Sequence, residues 1–336
     1  RSWQAAPIAI TVEGANIMTR SLLIFGQGAI LCHPWVMKEM KAAQDPDEKR
    51  GLEEFDSNLF GHIGFAISNA VRSIWFGLTG AKIGAAPGDD YTRRYFRKLD
   101  RYSANLALMA DVSMLTLGGK LKFKESLSGR LGDVLSHIYM TSAMLKRYHD
   151  EGAPQADQPL LAWAFHDSVH KIETALSDAL RNFPIRPVGW LMWALIFPLG
   201  RRAEAPGDRL SRRVAALLMA PNEARARLAE GVFLTPGENN PGGRIDSYLA
   251  KAIAAEPVER KFLKALKSKG IEALDYASQL DEAVREGHIT AEERAQLEEL
   301  RELTLDVITV DDFDTGELRS AGFRTAAQQS ESREAA

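Results

Sequence analysis

Apolar residues recur at three- and four-residue intervals along nearly the whole chain, and the two-residue alternation of a half-buried strand is essentially missing. The clearest run is Phe55, Leu59, Phe60, Ile63, Ile67, Ala70, Val71, Ile74 and Leu78, which predicts a long helix over about 53–78. The same periodicity predicts helices near 13–31, 34–43, 92–117, 126–149 and 160–182. Shorter ones follow near 208–219, 223–230, 244–254, 258–268, 271–285 and 291–303. Breaks fall where Gly and Pro cluster, at Gly80–Gly88, Gly118-Gly119, Gly152–Pro159 and Thr235–Gly243. Asp90 or Thr92 is placed to cap one helix, and Asn222, Asp281 and Thr290 are read as caps of others. Helices with one apolar stripe and short connections pack as bundles, so the expected class is all-α, a helical bundle. We divide the chain into 1–45, a helical extension at 46–200, a short-helix region at 201–320 and a small, polar tail at 321–336 expected to be disordered.

Composition removes several alternatives. A formal net charge of −3 argues against a general nucleic-acid binder, which would be basic. The single cysteine, Cys32, forbids an intrachain disulfide and fits a reducing compartment, and it is read as a buried bystander. No stretch reaches the roughly 18 apolar residues of a membrane span. The nearest is Val188–Leu199, which is short and interrupted by Pro198. Trp190 and Trp193, with Arg181, Arg186, Arg201 and Arg202 as flanks, also suit an interfacial helix, whereas the plainer reading is a core helix. The aromatic run from Phe55 to Trp75 is likewise read as core. The chain starts at Arg1 without a signal-peptide pattern, and we read it as a piece of a longer protein in the cytoplasm.

Two constellations carry possible chemistry. Glu13 and Gly14 stand at the mouth of an apolar helix. A carboxylate there can serve as a base, and glycine beside it lets a substrate approach the backbone. Position alone equally allows an acid that merely complements the helix dipole. In His166-Asp167-Ser168-Val169-His170 two histidines share a helix face, as in a two-histidine zinc site. Aspartate stands where glutamate should, and no third ligand follows at a fixed spacing. No metal site is assigned; His33, His62, His137, His149 and His288 show no ligand pattern. Gly26-Gln27-Gly28 lacks a preceding strand and a third glycine, so it is read as close helix packing and not as a nucleotide loop.

Glu13-Gly14-Ala15-Asn16-Ile17-Met18-Thr19-Arg20 resembles the catalytic segment of the acyl-CoA dehydrogenases, with the arginine at the matching offset. Downstream, Leu127–Ser136, Arg181-Asn182-Phe183-Pro184, Ile196–Arg201 and Val310-Asp311-Asp312-Phe313 resemble, in order, the C-terminal extension of the large bacterial members of β-oxidation. The resemblance spans roughly Pro7 to Phe313. It implies Glu13 as the base, Gly14 against the acyl thioester, and Ala15, Asn16 and Ile17 along FAD. Ala15 stands where many relatives have a hydroxyl residue, so one hydrogen bond to the cofactor would be missing. It further implies a fatty acyl-CoA substrate, an electron-transferring flavoprotein as acceptor and a homo-oligomer. A second expectation is a non-catalytic helical module for dimerisation, or for peripheral contact with the inner membrane near Trp190 and Trp193.

Overall fold

The computed structural model describes residues 16, 18–237, 240–268 and 271–309. Among these, the regular structure is helical: α1 (Thr19–Gln27, wound as a π-helix), α2 (Gly28–Cys32), α3 (Val36–Ala42), α4 (Glu48–Thr79), α5 (Arg93–Leu117), α6 (Glu125–Asp150), α7 (Gln158–Arg181), α8 (Arg186–Ile196), α9 (Asp208–Leu218), α10 (Glu223–Leu228), α11 (Pro241–Lys267), α12 (Tyr276–Arg285) and α13 (Ala291–Ile308). The all-α expectation holds. No described helix is long and apolar enough to cross a membrane. The chain forms two compact units, with the break between Ala215 and Ala216, inside α9.

The first unit is built around α5, α6 and α7. Their inward stripes supply Met109, Leu131, Leu145, Phe165, Ile172 and Leu176, all essentially inaccessible, and α8 adds Met192 and Ile196. Capping departs from the sequence expectation here: α4 starts at Glu48, capped by Asp47, and Thr92 at the head of α5 makes no side-chain cap bond. The Asp47 carboxylate accepts from the amides of Lys49 and Arg50, and Gly80 ends α4 with φ 63°, a left-handed turn that glycine adopts freely.

Helix α4 reverses the sequence expectation. Its buried residues are Gly51, Asn69, Ser73 and Gly77, whereas Phe60, Ile63, Ile67, Val71, Trp75 and Leu78 are exposed, Phe60 at 72%. The aromatic face read as core is therefore solvent-facing. The reason is steric. A β-carbon at Gly77 would lie 2.7 Å from Pro198 Cδ, so the segment after α8 reaches α4 only where the helix is small. The helix uses its slim, polar side for packing and leaves its bulky side outward.

The second unit has its own core of Phe262, Leu280, Ala283, Ile289 and Leu297, shared by α11, α12, α13 and the turns between them. Thr290 caps α13 in a reciprocal box with Glu293, and Asn222 caps α10. Several expectations need correction. The helices read at 244–254 and 258–268 are one helix, α11, which absorbs Pro257 in its interior. Helix α12 starts at Tyr276, capped by the Asp275 side chain, not at Ile271. Asp281 lies inside α12, where it accepts from Arg294 Nε at 2.8 Å instead of capping. Cys32 is exposed, not buried. Trp190 and Leu191 are also exposed, while Gly189, Met192 and Ile196 are buried, so α8 is core on one side only.

Candidate active-site segment and its supports

The segment that carries Glu13 enters the structure at its C-terminal end. Glu13, Gly14, Ala15 and Ile17 lie outside the described residues; Asn16 is exposed at the head of α1, beside the exposed Met18. Arg20 is the member of the motif whose surroundings can be read. Its Nε donates to Asp133 Oδ1 at 2.6 Å and its Nη2 to Asp133 Oδ2, a bidentate fork. The hydrogen bond to Asp133 raises the pKa of Arg20, which keeps the charge fixed. Asp133 lies on α6, within the Leu127–Ser136 stretch singled out by sequence.

The glycines of that stretch explain the fit. A β-carbon at Gly129 would lie 2.7 Å from Arg20 Nη1, and one at Gly132 would lie 2.9 Å from the Arg20 carbonyl oxygen. Only a bare helix surface lets α1 settle this closely on α6. Sequence reasoning assigned no individual role to Gly129, Gly132 or Asp133. The structure assigns them one: they seat the helix that follows Glu13. Gly28, by contrast, serves the helix's own winding, since its amide donates to Leu23 O, the i−5 spacing of a π turn. A β-carbon at Gly28 would lie 3.2 Å from that same oxygen.

The chain just after the Ile196–Arg201 segment is held by a buried carboxylate. Glu173 on α7 is fully buried. Its Oε1 accepts from Tyr102 Oη at 3.0 Å and faces Arg101 Nη1 at 3.5 Å. Its Oε2 accepts from the amides of Arg202 and Ala203, both at 2.9 Å. Arg101 also donates to Ile196 O at 3.2 Å. Burial, then the Glu173 charge, pushes the Tyr102 hydroxyl well above the usual tyrosine range, so it stays a donor. Thus Ile196–Arg201 is pinned by α5 and α7 together, and Phe183 of Arg181–Pro184 is sealed in the same core.

The histidines are distributed differently from the sequence reading. His170 Nδ1 lies 3.2 Å from Ala203 O, and Asp167 pairs with Lys171 Nζ at 2.7 Å. Among the described residues, the group of His, Cys, Asp or Glu donors close enough to share an ion is instead His33, His62 and Asp111, with ligand atoms within 4.8 Å of one another. His33 lies between α2 and α3, His62 on α4 and Asp111 on α5. His33 Nε2 is 2.8 Å from Asp111 Oδ1, and His62 Nε2 is 3.4 Å from the same oxygen. His62 Nδ1 meets Glu39 Oε1 at 2.9 Å, and His33 Nδ1 accepts from the amides of Trp35 and Val36 at 3.2 Å. No linear spacing announces this set, since its members come from three separate elements.

With the segment and its supports in place, comparison with known families is direct. The family model described as acyl-CoA dehydrogenase, C-terminal, bacterial type, matches residues 30–313, most of the chain. The protein belongs to that family. No solved structure matches it.

Proposed function

We propose that the chain is the C-terminal part of a flavin-dependent acyl-CoA dehydrogenase that oxidises fatty acyl-CoA to trans-2-enoyl-CoA. The observation that carries this reading is the seat of Arg20. It joins the Glu13 segment, by a bidentate ion pair and two bare glycine positions, to a helix inside the matched family region. In this reading residues 1–45 end the catalytic helical domain and the rest extends it.

Glu13 takes the α-proton next to the thioester. A carboxylate desolvated by an acyl chain is held less readily as an anion, which brings its basicity closer to neutral pH. Gly14 lies against the thioester. Asn16 is accessible at the head of α1, and Met18 beside it is exposed, so the described part of the segment fits a flat ring system lying along it. Ala15, Asn16 and Ile17 would hold FAD, which when bound supplies the acceptor for the β-hydride. Electrons would then pass to an electron-transferring flavoprotein, in the cytoplasm. The test uses the intact polypeptide that carries this chain. Adding a long-chain acyl-CoA should bleach the flavin band, and Glu13→Gln should abolish the bleaching without loss of flavin. Equal bleaching in both proteins would overturn the role of Glu13.

A second, compatible reading is favoured by the exposed apolar stripe of α4. It makes the residues after Lys49 a docking module through which a homo-oligomer or a peripheral membrane contact forms. Ile67→Asp with Val71→Asp should lower the sedimentation mass if copies meet there. Trp190→Ser with Trp193→Ser should lower sedimentation with anionic vesicles if α8, with its exposed Trp190, touches lipid.

A further inference from the structure

The proposed acyl-CoA chemistry does not use the cluster of His33, His62 and Asp111, and its hydrogen-bond logic points to a ligand. His62 Nδ1 lies 2.9 Å from Glu39, whose carboxylate can only accept. In the neutral ring the proton is therefore on Nδ1 and the lone pair on Nε2 faces Asp111 Oδ1, whereas in the imidazolium Nε2 would donate to that oxygen. His33 is arranged the other way round. Its Nδ1 accepts from two backbone amides, so its proton is on Nε2 and is given to Asp111. Asp111 is 92% buried, and its second oxygen, Oδ2, is buried without a hydrogen-bond partner among the described residues. Asp111 Oδ1 already meets His33, so what a cation would answer is the unpaired Oδ2 of the same carboxylate together with the open lone pair of the neutral His62 ring.

The separation of His62 Nε2 from Asp111 Oδ1 suits one kind of cation. A charge-assisted N–H···O bond would bring His62 Nε2 and Asp111 Oδ1 to about 2.8 Å. They are 3.4 Å apart. Two ligands bound to one tetrahedral zinc, each at about 2.1 Å, stand roughly 3.4 Å apart. Glu39 behind His62 and His33 behind Asp111 supply the outer hydrogen bonds that orient metal ligands.

We propose that His62 Nε2 and the Asp111 carboxylate bind a divalent zinc-like cation, with Glu39 and His33 as its orienting residues. Water completes the coordination, because only two side chains reach the ion. The bound cation ties α4 to α5, and through Glu39 and His33 it fastens α3 and the turn before it. It offsets two carboxylates that otherwise share a largely buried space.

The test is calorimetric titration of the metal-stripped full chain with Zn²⁺, paralleled by Co²⁺ absorption in the visible. One ion per chain is expected. Binding should vanish in His62→Ala and Asp111→Asn, and weaken roughly 10- to 100-fold in Glu39→Gln and in His33→Gln. In nitrogen-15 histidine spectra of the wild type, Zn²⁺ should move the His62 Nε2 resonance while His33 keeps its unprotonated Nδ1. This readout decides even if the variants unfold. The absence of stoichiometric binding overturns the proposal. So does binding that survives both ligand substitutions, or a metal shift confined to His137, His149, His166, His170 or His288.

Discussion

Glu173→Ala should be the most damaging single truncation in the first unit. The carboxylate is fully buried and answers four groups at once: Arg101, the Tyr102 hydroxyl, and the amides of Arg202 and Ala203. Removing it leaves the Arg101 guanidinium, itself 5% exposed, without a counter-charge. Breaking a buried pair from one side costs about 3–5 kcal/mol. Each buried donor left unmade adds about 1–3 kcal/mol, but the Arg202 and Ala203 amides lie on a connecting segment that can turn to water. The net loss is therefore about 4 kcal/mol, a large part of the roughly 5–15 kcal/mol that holds a domain together. All six tryptophans precede Ala216, so urea unfolding followed by tryptophan fluorescence reports this unit alone. With a slope of about 3 kcal/mol/M, the midpoint should fall by about 1.3 M. Glu173→Gln should cost about half as much, because one amide oxygen still accepts while the amino group faces donors. Glu173→Met with Arg101→Met should recover more than half of the loss, since no charge is then stranded. A loss below about 1 kcal/mol in Glu173→Ala, or a double variant worse than the single one, would refute the reasoning.

Gly132→Val should push α1 off α6, because its first side-chain atom already overlaps the Arg20 carbonyl. On the proposed function, the intact polypeptide carrying this change should show flavin bleaching slowed by at least tenfold with flavin retained, measured by stopped flow. His137 and His166 are both held below the usual histidine range, first by burial and then by Lys171 and by Lys98 with Arg94 respectively. Their neutral forms belong to the native state, so the unfolded chain takes up protons first as pH falls through about 6.5. Stability should be full above that value and decline below it. Changing both to Gln should flatten the decline in urea midpoints between about pH 5 and 6.5. In the second unit, Leu280→Ala should cost about 2–5 kcal/mol, read from hydrogen exchange of α12 amides, because Leu280 is fully buried.

Helix existence was legible from residue order alone, because a 3.6-residue repeat of apolar side chains and a cap such as Asn222 or Thr290 are local facts. The segment from Glu13 to Arg20 was read from neighbours in the chain, and of it the structure describes Asn16 and Met18 to Arg20. What sequence could not decide is which side of a helix meets the rest. On α4 the apolar stripe predicts burial, but partners close in on Gly77 and Ser73, and the bulky side remains outside. Direction of burial depends on which surfaces come close in three dimensions, and a single helix does not encode it. Nor could spacing reveal His33, His62 and Asp111, whose meeting depends on how α3, α4 and α5 pack. Local periodicity set the helices of this protein; the close approach of distant backbones set its seat for Arg20, its buried Glu173 and its histidine cluster.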